Sequence, residues 1–162
     1  MVEIREVAAD GWQAMRDIRL AALREAPQAF ASTYEREAVY AEADWQHRIR
    51  GGGNFLAYAA ELGAVAAGIV GGFEAEPETI ELVSLWVTPQ ARGRGIGQAL
   101  VQAVIDWARA RSICRVHLWV AENNHPARAL YERCGFRPTA ERQPLPSAPE
   151  LTEMGMVRNL DR

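Results

Sequence analysis

The sequence predicts an α/β (α+β) fold, a mixed, mostly antiparallel sheet of about seven strands with a central βαβ unit and about four helices. Three observations lead there. Residues 79–87, 96–110 and 115–121 follow one another as a β-forming run, an apolar-faced helix and an alternating strand. Such a unit sets its two strands parallel through a right-handed crossover, while the flanking runs are joined by turns short enough to require antiparallel pairing. At 162 residues, 49% hydrophobic and 24% charged, the chain has the length and balance of one soluble globular domain over residues 1–162.

The elements follow in order. Val2 to Val7 is a first strand. Asp10 is placed to cap a helix through about Glu25, with Trp12, Met15, Ile18 and Leu23 near a 3.6-residue rhythm and Pro27 beyond its end. Residues 33–50 form helix in one or two pieces, ended by Gly51-Gly52-Gly53. Asn54 to Glu61 and Ala64 to Gly72 make a hairpin around Leu62-Gly63, and Glu74 to Glu78 is an acidic turn. After strand 79–87, Ile96, Leu100, Val101, Val104, Ile105 and Ala108 share one helix face. In strand 115–121, Val116, Leu118 and Val120 share a side. Pro126 to Cys134 is a short helix with Gly135 as its C-cap. Arg137 to Arg142 and Leu151 to Leu160 close the sheet, joined by a loop at 143–150.

Composition excludes several functions. The net charge of −3 and the lack of a basic stripe argue against a nucleic-acid partner. No apolar run approaches the ~18–20 residues a membrane span needs. The N-terminus carries no secretory pattern, and Cys114 and Cys134 suit reduced core positions, so a cytoplasmic protein is expected. His47, His117 and His125 have no ligand spacing, so no metal is expected.

The segment that carries chemistry is Arg92-Gly93-Arg94-Gly95-Ile96-Gly97, where a strand turns into a helix. Glycines at such a turn let backbone N–H groups and the positive end of a helix dipole approach a phosphate. The Walker A pattern needs a lysine, and the chain contains none. The dinucleotide pattern fails by one residue, with Gly97 followed by Gln98, and no acidic residue ends the next strand.

What remains, Arg-x-x-Gly-x-Gly after Leu85-Trp86-Val87-Thr88-Pro89, resembles the acetyl-coenzyme A motif of the GCN5-related N-acetyltransferase (GNAT) superfamily. Asn124-x-x-Ala127-x-x-x-Tyr131-x-x-x-Gly135-Phe136 is similar to that family's second cofactor segment. The likeness covers residues 79–140 well and implies a bacterial-type member of the GNAT fold that transfers acetyl from acetyl-CoA to an amine. It implies backbone contacts to the cofactor from Leu85, Trp86 and Val87, and a pyrophosphate cradle at Gly93, Gly95, Ile96, Gly97 and Gln98. Arg92 and Arg94 add charge there or are solvated surface residues.

Tyr131 is the general-acid candidate, placed to protonate the leaving thiolate, or else a core tyrosine. Asn124 binds the cofactor, caps a helix, or does both. Glu81 lies where some family members carry a strand base. Simple alternation puts it on one face with Val83, Leu85 and Val87, an apolar surround that would raise its pKa, unless a bulge intervenes. It is otherwise a solvated strand glutamate. Glu122 is near another family base position but falls three residues late, with Trp119 in that place. Glu35 and Glu37 are candidates to recognise a cationic acceptor. Trp45, Trp86 and Trp119 line an acceptor pocket or belong to the core. The acceptor is a small-molecule amine or a peptide N-terminus. The rival readings are transfer from another acyl-CoA and a non-catalytic cofactor-binding sensor. A homodimer through the C-terminal strands is open.

Overall fold

A computed structural model describes residues 2–160. Among these residues the chain forms seven strands and five α-helices. In order they are β1 (Val2–Glu6), α1 (Trp12–Glu25), α2 (Tyr34–Glu37), α3 (Glu42–Arg50), β2 (Gly53–Ala59), β3 (Gly68–Glu76), β4 (Thr79–Val87), α4 (Ile96–Ala110), β5 (Arg115–Ala121), α5 (His125–Arg133), β6 (Arg137–Leu145) and β7 (Ala148–Asn159). The sheet order is β1-β2-β3-β4-β5-β7-β6, with β4 and β5 parallel and the other neighbours antiparallel. Among the described residues no helix is long and apolar enough to cross a membrane.

Each face of the sheet has its own core. On one face Leu100, Val104, Ile105 and Ala108 of α4 pack fully buried against Ile80, Leu82, Val116 and Leu118. On the other, Met15 and Leu23 of α1 and Trp45 of α3 pack against Leu56 and Ile69. Truncating such a side chain to alanine costs about 2–5 kcal/mol through lost burial and an unfilled cavity.

The structure departs from the sequence expectation at the element ends. Residues 33–50 break into α2 and α3, so the helices number five and not four. Asp10 caps nothing. It lies in a short turn, and α1 begins at Trp12. β3 continues through the acidic stretch to Glu76, because Glu74 and Glu76 pair with Ile80 and Thr79, and only Pro77-Glu78 is left to turn. Most of the expected loop 143–150 is likewise strand, with Gln143 paired to Glu153 and Leu145 to Ala148. Proline at 138 and 144 is tolerated because β6 is an edge strand, where a missing N–H costs no central ladder bond.

The departure that matters most lies in β4. Ser84 has φ +65°, and the register slips one residue between the pairs Val83–Gly71 and Trp86–Ile69. This bulge breaks the expected alternation. Glu81 and Val83 face the α1 side and line its cleft, whereas Leu85 and Val87 pack against the α4 core. Trp86 crosses to the α1 core.

Candidate active site

β4 and β5 pair only from Thr79–Arg115 to Glu81–His117. Beyond that point β4 stays with β3 as far as Val87, and β5 stays with β7 as far as Ala121. The strands therefore part into a wedge, and Leu85, Trp86 and Val87 run along its β4 edge. An extended chain can add to such an edge through main-chain hydrogen bonds.

β4 leads through the glycine turn into α4. Gly93 and Gly95 both have φ +82°, a conformation a side chain would strain, although a Cβ at either would meet nothing within 4 Å. At Gly97 the reason is contact: a Cβ would lie 3.1 Å from Leu130 of α5. Ile96 turns its side chain into the core and offers only its backbone. The first N–H groups of α4, from Ile96 through Gln98, lack partners within the helix and suit an anion. The edge and the cradle together fit a ligand with an extended arm and a phosphate group.

The two arginines of the turn are tied to the protein. Arg92 donates to Val87 O at 3.0 Å and to Glu25 at 2.6 Å. Glu25 also accepts from Trp86 Nε1 at 2.8 Å, and the Trp86 and Arg92 bonds lower its pKa. Arg94 pairs with Glu61 and donates to Gln90 O at 3.3 Å. Asn124 accepts from Ala127 N at 3.3 Å, an N-cap for α5. Tyr131 is 7% exposed and packs edge-on against Phe136. Burial raises its pKa, so the phenol keeps its proton.

On the α1 side the sheet floors an open cleft of about 970 Å³, lined among others by Arg19, Phe30, Arg48, Glu81, Trp119 and Leu145. Glu81 shares that cleft with Val83 but not with Leu85 or Val87. Its Oε1 is 2.8 Å from His117 Nδ1, and His117 Nε2 is 2.8 Å from Glu141 Oε1. The Glu81 hydrogen bond, working against desolvation and helped by Glu141, lifts His117 to about 9. His117 is therefore an imidazolium between two carboxylates at neutral pH. Gly155 of β7 makes room for the cluster, since a Cβ there would collide with Glu141 and stand 2.8 Å from Thr139 Oγ1 and 3.0 Å from His117 Nε2.

Glu37 is not a free recognition group. It is fully buried, accepting from Arg19 Nε and Nη2 at 3.0 and 2.9 Å and from Arg48 Nη1 at 2.9 Å. Burial would raise its pKa, but the arginine bonds outweigh that and hold it at about 2. Glu35 stays exposed, and Glu122 is bound by Arg142 at 2.6 Å. Of the three tryptophans, Trp45 and Trp86 are core and Trp119 lines the cleft.

The sequence model of the acetyltransferase (GNAT) family matches residues 12–136. This chain belongs to the GNAT family. A mycothiol acetyltransferase of Beutenbergia cavernae is 50% identical to this GNAT chain over 62 residues, 38% of the chain and 21% of that protein. The matches span about a fifth to a quarter of the length of the curated relatives. Among solved structures, yncA from Salmonella typhimurium with its cofactor acetyl-CoA has a TM-score of 0.80 at 19% identity, over all of this chain and 95% of that one. The ribosomal-protein-S18-alanine N-acetyltransferase of Escherichia coli has a TM-score of 0.72 at 20% identity, over 100% and 96%. At these identities the likeness is one of fold.

Sequence reasoning named the residues on the wedge side of this GNAT chain and did not name His117, Arg19 or Arg48 as site candidates. Arg19 did leave a signal: it sits four residues after Met15 and four before Leu23, on the apolar stripe of α1. For His117 the only signal was a face shared with Trp119, opposite Val116 and Leu118.

Proposed function

We propose that this chain is an acetyl-coenzyme A-dependent N-acetyltransferase that moves an acetyl group to a primary amine by direct attack in a ternary complex. The observation that carries this reading is the β4–β5 wedge continuing into the glycine turn. Backbone groups of Leu85, Trp86 and Val87 pair with the extended arm of the donor. An N–H on that edge polarises the thioester carbonyl, an effect worth about 3 kcal/mol at comparable oxyanion sites. The N–H groups from Gly93 to Gln98 hold the pyrophosphate, with Asn124 closing the α5 side. Arg92 and Arg94 brace the turn through Glu25 and Glu61, which supports a positioning role more than a direct charge contact.

Bound acetyl-CoA supplies an activated acyl group on a thiol leaving group. Tyr131, buried and protonated, gives its proton to the departing thiolate. Glu81, directly or through a water, takes the proton of the amine. The 2.8 Å contact with His117 Nδ1 fixes the position of its carboxyl group.

Calorimetry with acetyl-CoA, followed by thiol release in the presence of an amine library, tests the proposal. Saturable binding and amine-dependent thiol release are expected. Absence of both binding and thermal stabilisation by acetyl-CoA ends it. Glu81→Gln is expected to lower kcat/KM at least 100-fold with donor affinity retained.

A further inference from the structure

The wall of the cleft made by α1, α2 and α3 holds more positive charge than it neutralises. Two guanidinium groups, Arg19 and Arg48, converge on the single buried carboxylate of Glu37. Arg19 has all three of its nitrogens engaged, two on Glu37 and the third on Ser84 Oγ at 2.6 Å. That third bond ties the wall to the bulge immediately before Leu85. Arg48 is different. Its side chain is 31% exposed on the cleft, and its hydrogen bond to Glu37 uses one of five N–H donors. Tyr40 and Trp45 hold its plane, with ring centroids 5.7 and 5.1 Å away. The donors of Arg48 left over from Glu37 are open to an anion entering the cleft.

The opposite wall has the reverse sign. Glu81 and the buried Glu153 line it, Glu153 accepting from Gln143 at 2.5 Å, and the imidazolium beside Glu81 is shared with Glu141. Glu81 and Ser84 are three positions apart on β4, so the two poles meet that strand within about 10 Å of each other. A polycation would match only one wall. A peptide N-terminus carries its nearest terminal carboxylate a whole chain away.

We infer that the acceptor is a zwitterionic amino acid, its carboxylate held by Arg48 against the Arg19–Glu37 pair and its amine turned toward Glu81. The inference rests on the acetyltransferase reading above and narrows its acceptor.

The experiment measures thiol release from acetyl-CoA with a panel of L-amino acids, each beside its carboxamide and its decarboxylated amine. The best acids are expected to exceed their amides and amines by roughly 10-fold or more in kcat/KM, mainly through KM, as befits a hydrogen bond to a charged group. In Arg48→Gln that acid-to-amide ratio falls toward one. Amides or amines turned over as well as the acids would overturn the inference and leave the acetyltransferase reading standing. So would an acid preference that survives in Arg48→Gln. Failure of the wild-type protein to bind acetyl-CoA by calorimetry removes the parent reading and the inference together. Should Arg48→Gln not fold, the wild-type acid-to-amide comparison still decides.

Discussion

His117 Nδ1 lies 2.8 Å from Glu81 Oε1 at the last register position where β4 and β5 still pair. The bond spans the fork from which the wedge opens. It joins the residue assigned as base to a cation that also holds Glu141 on β6.

The first prediction concerns alkaline stability. The folded pKa of His117, about 9, exceeds its unfolded value of 6.5. Its contribution is fully present below pH 6.5, because both states then hold the proton. It declines as the unfolded state deprotonates and is lost as pH rises through 9. The full shift corresponds to about 3 kcal/mol, and partial access of solvent to the cluster reduces that to about 2 kcal/mol. Urea unfolding at pH 6, 7, 8, 9 and 10 is expected to trace this fall, and His117→Gln to flatten it.

Gly155→Ala should reach the same cluster from β7. The new Cβ would displace Glu141 from His117, since the crowded atoms are side-chain ends able to move. The imidazole pKa followed by NMR should drop below the wild-type value while staying above 6.5, with Glu81 still in place. An unchanged titration would show that the glycine is not needed for space.

Glu37→Gln should destabilise the protein by about 3–5 kcal/mol, because two arginines then lose their buried counter-charge. The folded pKa of Glu37, about 2, lies below its ordinary 4.5. Its contribution is present above pH 4.5 and lost as pH falls through 2. Acid unfolding of the variant should therefore be shallower between pH 4.5 and 2, as read by circular dichroism.

Tyr131→Phe separates catalysis from binding. Removing the phenol proton donor should lower turnover about 100-fold and leave the Kd for acetyl-CoA within about threefold. Equal turnover would assign Tyr131 to the core it also packs in.

The legible parts of this protein are those whose cause is local. Gly93, Gly95 and Gly135 all have φ near +85°, and glycine is the residue that accepts it without strain. The apolar face of α4 repeats every three to four residues because that is the helical period. From those signals came the βαβ unit, the cofactor turn and the family resemblance. The bulge at Ser84 carried no comparable signal. A serine at positive φ is held there by its surroundings, including the Arg19 bond to its side chain.

Sequence alone determined the elements of the proposed donor side: a strand, a glycine turn and a helix adjacent in the chain, with Asn124 and Tyr131 one strand later. Tertiary structure alone decided the charges of the cleft proposed to take the acceptor. Glu81, His117 and Glu141 come from β4, β5 and β6, and they meet across the order β4-β5-β7-β6 over a glycine of β7. Arg19, Glu37 and Arg48 come from three helices. Periodicity records which face a residue occupies. It does not record which distant strand or helix will lie beside it, and the charges of this cleft are set by those neighbours.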